Sequence, residues 1–345
     1  MKKTAQAPAN IAFIKYWGKK DADLRIPLND SISMNLSGCF TTTTVEFSSE
    51  LKEDSIRHSG KSGQKADASR ISKRSWTSQD DFSFQEKTRI SNHLDLIRKK
   101  AGISTKARVV THNSFPKGTG IASSASGFAA LTVAATSALS LTLSEKELTI
   151  LARLGSGSAS RSIPDGFVRW TTGTTSNDSY AYSLYPSSYW ALCDILVIVD
   201  TNTKETSSTI GMENVSTSPL LSQRLIDVRD RCEGLTQAFA NKDFEKLGMV
   251  IEEDCLNMHA VMQTQNPALN YLTSVTIKVM EMVKTWRKQG IAVYYTIDAG
   301  PNVHLICEEN IKEKVLERIK NLNGVEQVII NKVEKGTKLI EEHLF

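Results

Sequence analysis

Residues 114–131 read SFPKGTGIASSASGFAAL, a glycine- and serine-rich turn that opens into an alanine-rich run. Gly118 and Gly120 flank Thr119 and let the backbone turn tightly. Ser123, Ser124 and Ser126 then fall where a helix leaves its first amide groups unpaired. Such a turn is an anion cradle, because backbone N–H groups, the positive end of the helix dipole and three small hydroxyls converge on one point. It is not the Walker pattern, since no Gly-Lys-Ser/Thr closes the loop. Taken alone, the stretch reads equally as a serine-capped helix packed on a sheet by its alanines. The rest of the chain has to decide.

Composition narrows the field. A chain of 345 residues, 40% hydrophobic and 23% charged, buries a substantial core and is long enough for two domains. Its 42 basic and 38 acidic residues leave a net charge of +4, too balanced for an extended nucleic-acid or membrane surface but compatible with a local positive pocket. Cys39, Cys193, Cys232, Cys255 and Cys307 are odd in number, scattered and without a C-x-x-C pair. They predict free thiols in a reducing compartment and no zinc site. The apolar stretch at 11–14 is too short for a secretory core, and no segment approaches a transmembrane span. A cytoplasmic protein is expected.

Working outward, residues 5–36 predict a strand, a turn at Trp17-Gly18 and a second strand alternating at Ile32, Met34 and Leu36. Here Lys15, Lys19 and Lys20 are solvated loop charges, or Tyr16 and Lys19 face an anionic ligand across the turn. The run TTTTVEF at 41–47 is strongly β-type. Residues 48–84 form a polar connection read as a hairpin with an exposed loop, on whose solvated face Arg70, Lys73 and Arg74 are expected. A helix over 85–100 and a strand at 107–110 lead into the glycine turn. Beyond it, Ser144 with Glu147 forms a capping box for a helix over 145–154. The next stretch, GSGSASRSIPDGFVRW at 155–170, presents Arg161 from a small-residue turn, where a guanidinium can grip a carboxylate or phosphate bidentately or simply sit at the surface.

A change of pattern near residue 186 marks a domain boundary. The second half predicts a strand at 193–199, a polar turn through Ser207, Ser208 and Thr209, and helices over 220–240, 243–262 and 269–289. A strand at 291–297 then delivers Asp298 beside Gly300-Pro301, and a strand at 303–307, a helix at 311–322 and a strand at 325–330 complete an α+β sandwich.

Four stretches in this order, APANIAFIKYWGKKD, PKGTGIASSASGFAAL, ARLGSGSASRS and TIDAGPNVH, resemble the mevalonate diphosphate decarboxylase family of the GHMP kinase superfamily. The resemblance implies an α+β, two-domain GHMP kinase fold. Its N-terminal ATP-binding domain (1–186) would be ribosomal-protein-S5 domain-2-like and its C-terminal domain (187–345) a ferredoxin-like sandwich, with the active site between them. It implies ATP-dependent phosphorylation of a 3-hydroxyl followed by decarboxylation, taking mevalonate 5-diphosphate to isopentenyl diphosphate, with ATP and Mg²⁺ as cofactors and a homodimer as assembly. On the matching positions it implies catalytic roles for Asp298, Arg161 and Asn10, Asn10 helping to place the aspartate. Substrate binding would fall to Tyr16, Lys19, Ser156, Gly157, Ser158, Arg161 and Ser208. ATP binding would fall to Lys117, Gly118, Gly120, Ser123 and Ser124, with Mg²⁺ near Ser124.

Three departures bear on the substrate. The chain has Ile163-Pro164-Asp165 where the family commonly has Tyr-Gly before Gly-Phe, and a carboxylate beside the phosphate turn would repel a second phosphate. Thr209 stands where some bacterial members carry an arginine for the terminal phosphate. Lys117 adds a charge to the glycine turn. Decarboxylation of mevalonate 5-phosphate to isopentenyl phosphate therefore stays open, as does a mevalonate-type 3-kinase without decarboxylation. A catalytically silent nucleotide-binding fold is disfavoured by the intact motifs.

Overall fold

The computed structural model describes residues 1–59, 82–115, 123–202, 206–320 and 322–345, and the backbone course of 70–72. The first half runs β1 (Lys2–Ile14), a small hairpin of β2 (Lys19–Asp21) and β3 (Ile26–Pro27), β4 (Ser31–Ser48), β5 (Ser55–His58), β6 (Arg70–Ser72), α1 (Phe84–Ala101) and β7 (Lys106–Asn113). It continues through α2 (Ser123–Ala138), α3 (Glu145–Gly155), a 3-10 turn (Gly157–Ser162), β8 (Phe167–Trp170) and β9 (Ala181–Tyr185). The second half comprises β10 (Leu192–Ile198), α4 (Ser208–Gly211), α5 (Leu221–Asn241), α6 (Phe244–Thr264), α7 (Ser274–Lys288), β11 (Val293–Thr296), β12 (Val303–Glu308), α8 (Lys312–Lys320), β13 (Gln327–Lys332) and β14 (Lys338–Ile340).

Two sheets organise these elements. The first follows the order β14-β1-β4-β7-β5, with β8 and β9 continuing from β4, and the second the order β11-β12-β10-β13-β6. The chain changes sheet between β9 and β10, yet β6 joins the second sheet and β14 returns to the first. One face of the first sheet packs on α1, α2 and α3 through Val45, Val109, Leu94, Leu131 and the alanines of α2. Its other face meets the second sheet and α5 and α6 in a shared core of Ile11, Phe13, Ile32, Leu196, Phe239 and Ile306. The far face of the second sheet is covered by α7 and α8. The result is an α+β layering in which the ends of β1 and β11 reach the same region.

Local chemistry explains the strands. The threonines of 41–44 are buried, yet their hydroxyls are satisfied by Thr4–Thr44 (2.7 Å), Thr43–Thr111 (2.8 Å) and Thr41–Asn113 (2.8 Å). The two strands expected around residues 32–36 and 41–47 are one strand, β4, with the pairing register of β1 shifting at Pro8/Ala9. In the polar connection, β5 pairs in parallel with β7 and not as a hairpin, because Ile56 is buried in the core beside Val109. Helix α7 starts at Ser274 and not at residue 269, since Thr273 and Thr276 form a capping box there.

The capping box at Ser144 is present as read, with Ser144 Oγ accepting from Glu147 N at 3.3 Å and Glu147 Oε2 accepting from Ser144 N at 2.9 Å. Ser144→Ala is expected to cost about 1 kcal/mol in chemical denaturation. An unchanged midpoint and slope would mean that α3 is held by packing alone.

Candidate active site

Strand β1 and its extension carry Lys15 toward the end of β11, where the chain reaches Asp298. Lys15 Nζ lies 2.6 Å from Asp298 Oδ1; the lysine side chain is 1% exposed and the carboxylate 24%. A charge so buried needs its backbone fixed as well. Helix α6 does this on both sides. Asp254 Oδ2 accepts from Lys15 N at 2.7 Å, and Arg224, itself 3.0 Å from Asp254 Oδ1, donates to Lys15 O at 3.2 Å. One turn along, Ile297 N donates to Cys255 Sγ at 3.2 Å, and His259 Nε2 lies 3.4 Å from Ile297 O. Burial holds the His259 pKa down at about 4, with the Lys15 charge adding. The ring is therefore neutral and donates through Nε2, because a carbonyl only accepts.

Burial alone would raise the Asp298 pKa. The Lys15 ammonium and its hydrogen bond, helped by His304 and Arg161, reverse this and hold the carboxyl below the usual carboxylate range. Lys15 engages Oδ1, and the carboxylate reaches the wall of a cavity.

Arg161 comes from the 3-10 turn after α3. It is 3% exposed, with Nη1 donating to Ser31 Oγ at 2.6 Å and Nε to Asn10 Oδ1 at 3.3 Å. Burial lowers its pKa to about 10, which still leaves it fully charged near neutrality. Asn10 in turn donates to Ser158 O (3.2 Å) and Ser162 Oγ (2.9 Å). Asn10 thereby fastens the arginine turn. Gly157 is required by close approach, because a Cβ there would meet Tyr16 at 2.8 Å and Trp170 at 2.9 Å. Tyr16 packs edge-on to Trp170, and burial pushes its hydroxyl up to about 12, so it stays a neutral donor.

A cavity of about 240 Å³ collects these groups. Tyr16, Ser156, Gly157, Ser158, Arg161, Ser208, Ser123, Ser124 and Asp298 all line it. A second cavity, about 110 Å³, runs between α2 and the first sheet past Thr43, Val109, Phe128 and Leu131, and shares Ser123, Ser124 and Arg89 with the first. Both serines lie in the opening residues of α2, where unpaired amides and the helix dipole favour anions.

Lys19 and Asn10 do not line the larger cavity, and Lys117, Gly118 and Gly120 lie outside the described residues. Asp165 is not at the wall either. It acts electrostatically on Glu145 at the N-terminus of α3, whereas the serine turn follows that helix's C-terminus. The expected repulsion of a second phosphate by Asp165 is thereby removed. The sequence reading left Lys15 between a solvated loop charge and a supporting charge among the site groups, and had no signal for Arg25, Arg89 or Met258, which also face the cavity. Their places depend on folds of the chain that no local pattern encodes.

Two adjoining cavities, one beside a helix N-terminus and one closed by a carboxylate and two buried cations, on a two-domain α+β frame, define a protein of the GHMP kinase class. Residues 7–181 match the family described as diphosphomevalonate decarboxylase-like N-terminal domain, and residues 194–343 the mevalonate 5-diphosphate decarboxylase C-terminal domain. The diphosphomevalonate decarboxylase of Candida albicans is 37% identical over 317 residues, 90% of this chain and 85% of its own. The crystal structure of the Staphylococcus aureus mevalonate diphosphate decarboxylase superposes with a TM-score of 0.89 at 36% identity, covering 99% of this chain and 98% of that one. The complex of MDDEF with MVAPP, AMPPCP and magnesium gives 0.88 at 32% identity, covering 99% of each chain. The chain belongs to the diphosphomevalonate decarboxylase family.

The ion pair has a measurable consequence. Lys15→Met removes the main opposition to burial and leaves only the weaker help of His304 and Arg161, so the Asp298 pKa, followed by carbon NMR of the labelled carboxyl, should rise. In the unaltered protein this depressed pKa stabilises the fold above the ordinary carboxylate range, and that contribution is lost as pH falls through the folded value. An Asp298 titration that does not move in the variant would assign its shift to another group.

Proposed function

We infer that the protein decarboxylates mevalonate 5-diphosphate in an ATP-dependent reaction, releasing isopentenyl diphosphate, ADP, phosphate and CO₂. The observation that carries this reading is the convergence of the Lys15–Asp298 pair and Arg161 on one cavity that shares Ser123 and Ser124 with a second. The named ligands of the MDDEF complex support it.

The Asp298 carboxylate takes the hydrogen bond of the substrate's 3-hydroxyl and receives its proton as the γ-phosphoryl group moves to that oxygen. Lys15 keeps the carboxylate ionised and fixes its rotamer. Arg161 holds the C1 carboxylate, with its guanidinium plane set by Asn10 and Ser31. The C1–C2 bond then breaks to release CO₂, its electron pair forms the C2–C3 double bond, and the phosphate departs from C3. Tyr16, Ser156 and Ser158 bind the 5-phosphoryl end. Among the described residues no cluster of three or more His, Cys, Asp or Glu side chains is arranged to hold a metal ion. The hydroxyl of Ser124 fits Mg²⁺ held mainly by nucleotide phosphates, where the ion supplies neutralisation of their charge.

The division into domains 1–186 and 187–345 is supported by the change of sheet between β9 and β10. A cytoplasmic location is supported by five free, buried thiols, and no helix among the described residues is long and apolar enough to cross a membrane. The resemblance implies a homodimer, which sedimentation velocity tests directly.

The deciding assay measures ADP and CO₂ with Mg·ATP and mevalonate, its 5-phosphate or its 5-diphosphate. The diphosphate is expected to be preferred, with CO₂ equal to ADP. Asp298→Ala should lower turnover by about 10²- to 10⁴-fold while ATP binding stays within about twofold. Formation of ADP without CO₂ would sink the decarboxylase reading. Arg161→Lys should also lose roughly tenfold or more in turnover, since a point charge does not reproduce the planar fork.

A further inference from the structure

The cavity contains two cations that the reaction just described does not use. Of the four cationic side chains that the described residues place on its wall, Lys15 is committed to Asp298 and Arg161 to Asn10 and Ser31. Arg25 and Arg89 remain. They come from distant parts of the chain, the β2–β3 turn and α1, and meet at the C-terminus of α3. Arg25 Nε donates to Leu154 O at 2.9 Å, while Arg89 donates to the next carbonyl, Gly155 O, through Nε at 3.1 Å and Nη2 at 2.8 Å. Consecutive carbonyls thus bring two guanidinium groups side by side.

Neither has a carboxylate within ion-pair distance among the described residues. The repulsion is felt: burial, then the charge of Arg25, brings the Arg89 pKa down to about 10. Nor are they loosely placed. Arg89 stacks over the Phe128 ring at 4.7 Å. Arg153, fully buried, donates to Leu24 O at 3.0 Å and so fixes the turn that presents Arg25. Glu86, one turn earlier on α1, offsets part of the charge on Arg89 but makes no ion pair with it, so two like charges built into one cavity wall are arranged for an anion of high charge. The residues that follow Leu154 and Gly155 are Ser156, Gly157 and Ser158, so the pair stands directly upstream of the turn assigned to the 5-phosphoryl end. From the second half of the chain, the described residues that line the same cavity are Asp298 and its neighbour Ala299, the apolar Met212 and Met258, and the uncharged Ser207, Ser208 and Thr209, so none of them brings a cation.

We propose that Arg25 and Arg89 bind the terminal phosphoryl group of the substrate's diphosphate, so that the first domain supplies the charge which Thr209 does not. The inference rests on the decarboxylase reading above. It makes Arg25 the residue by which this chain prefers a diphosphate to a monophosphate.

The test uses the full chain and its Arg25→Met and Arg25→Lys variants, with Kd and KM measured for mevalonate 5-diphosphate, mevalonate 5-phosphate and ATP, and inhibition by pyrophosphate and by phosphate. Loss of charge-assisted hydrogen bonds from Arg25→Met should weaken the diphosphate by roughly 10- to 100-fold. Pyrophosphate inhibition should weaken in step, while the monophosphate and ATP move by less than about twofold. Arg25→Lys should recover part of the loss, which a merely misfolded Arg25→Met would not allow. An unchanged diphosphate Kd in Arg25→Met would overturn the proposal, as would a loss confined to ATP, which would give the guanidinium to the nucleotide. If the unaltered protein releases no CO₂ from the diphosphate, the functional reading fails first; diphosphate turnover with indifferent variants condemns the subsite alone.

Discussion

The Lys15–Asp298 ion pair is the constraint on which the rest of the site depends. It joins an ammonium from the first sheet to a carboxylate at the end of the second, 2.6 Å apart and largely out of water. Such a pair repays its desolvation only when the geometry is held from outside. Here that support is α6, which fixes the backbone of Lys15 through Asp254 and the backbone before Asp298 through Cys255 and His259. Arg224 closes the arrangement by binding both Asp254 and Lys15 O. The precision of the two charged atoms is therefore a property of the paired helices α5 and α6 and not of either strand.

A similar economy governs the other end of the cavity. The C-terminus of α3 and the turn after it provide, within nine residues, anchoring carbonyls for Arg25 and Arg89, the small residues of the serine turn and the buried Arg161. Gly157 permits Tyr16 and Trp170 to close on that turn. Cations here are docked on the negative end of a helix dipole, which tempers their mutual repulsion before any ligand arrives.

Much of this was legible in the sequence, for reasons that differ by element. Helix α3 was readable because Ser144 and Glu147 are a local signature. Asp298 beside its Gly-Pro turn and Arg161 in the serine turn were undecided on local pattern, and it was the family resemblance of the four stretches that singled them out. What was not legible depends on contacts remote in sequence. The parallel pairing of β5 with β7 follows from burial of Ile56, and the union of 32–36 with 41–47 into one strand follows from a bulge against β1. The bonds of Asn10 to Arg161 and to Ser158 O are likewise made across a long stretch of chain. Asp165 lies next to the serine turn in sequence but faces the opposite end of α3 in space. Arg25 and Arg89 carry no motif at all, since each acquires meaning only where the other arrives.

The reciprocal crossing of strands has a wider implication. Residues 70–72 belong to the second sheet and residues 338–340 to the first, so each half of the chain completes the other's backbone hydrogen bonding. The two domains are consequently not modules. Neither half, made alone, possesses all the strands of its own sheet, and recombination at the boundary between them exchanges incomplete parts. The same clasp ties the two sheets by backbone hydrogen bonds, so any movement of one half against the other has to carry a strand of its partner with it.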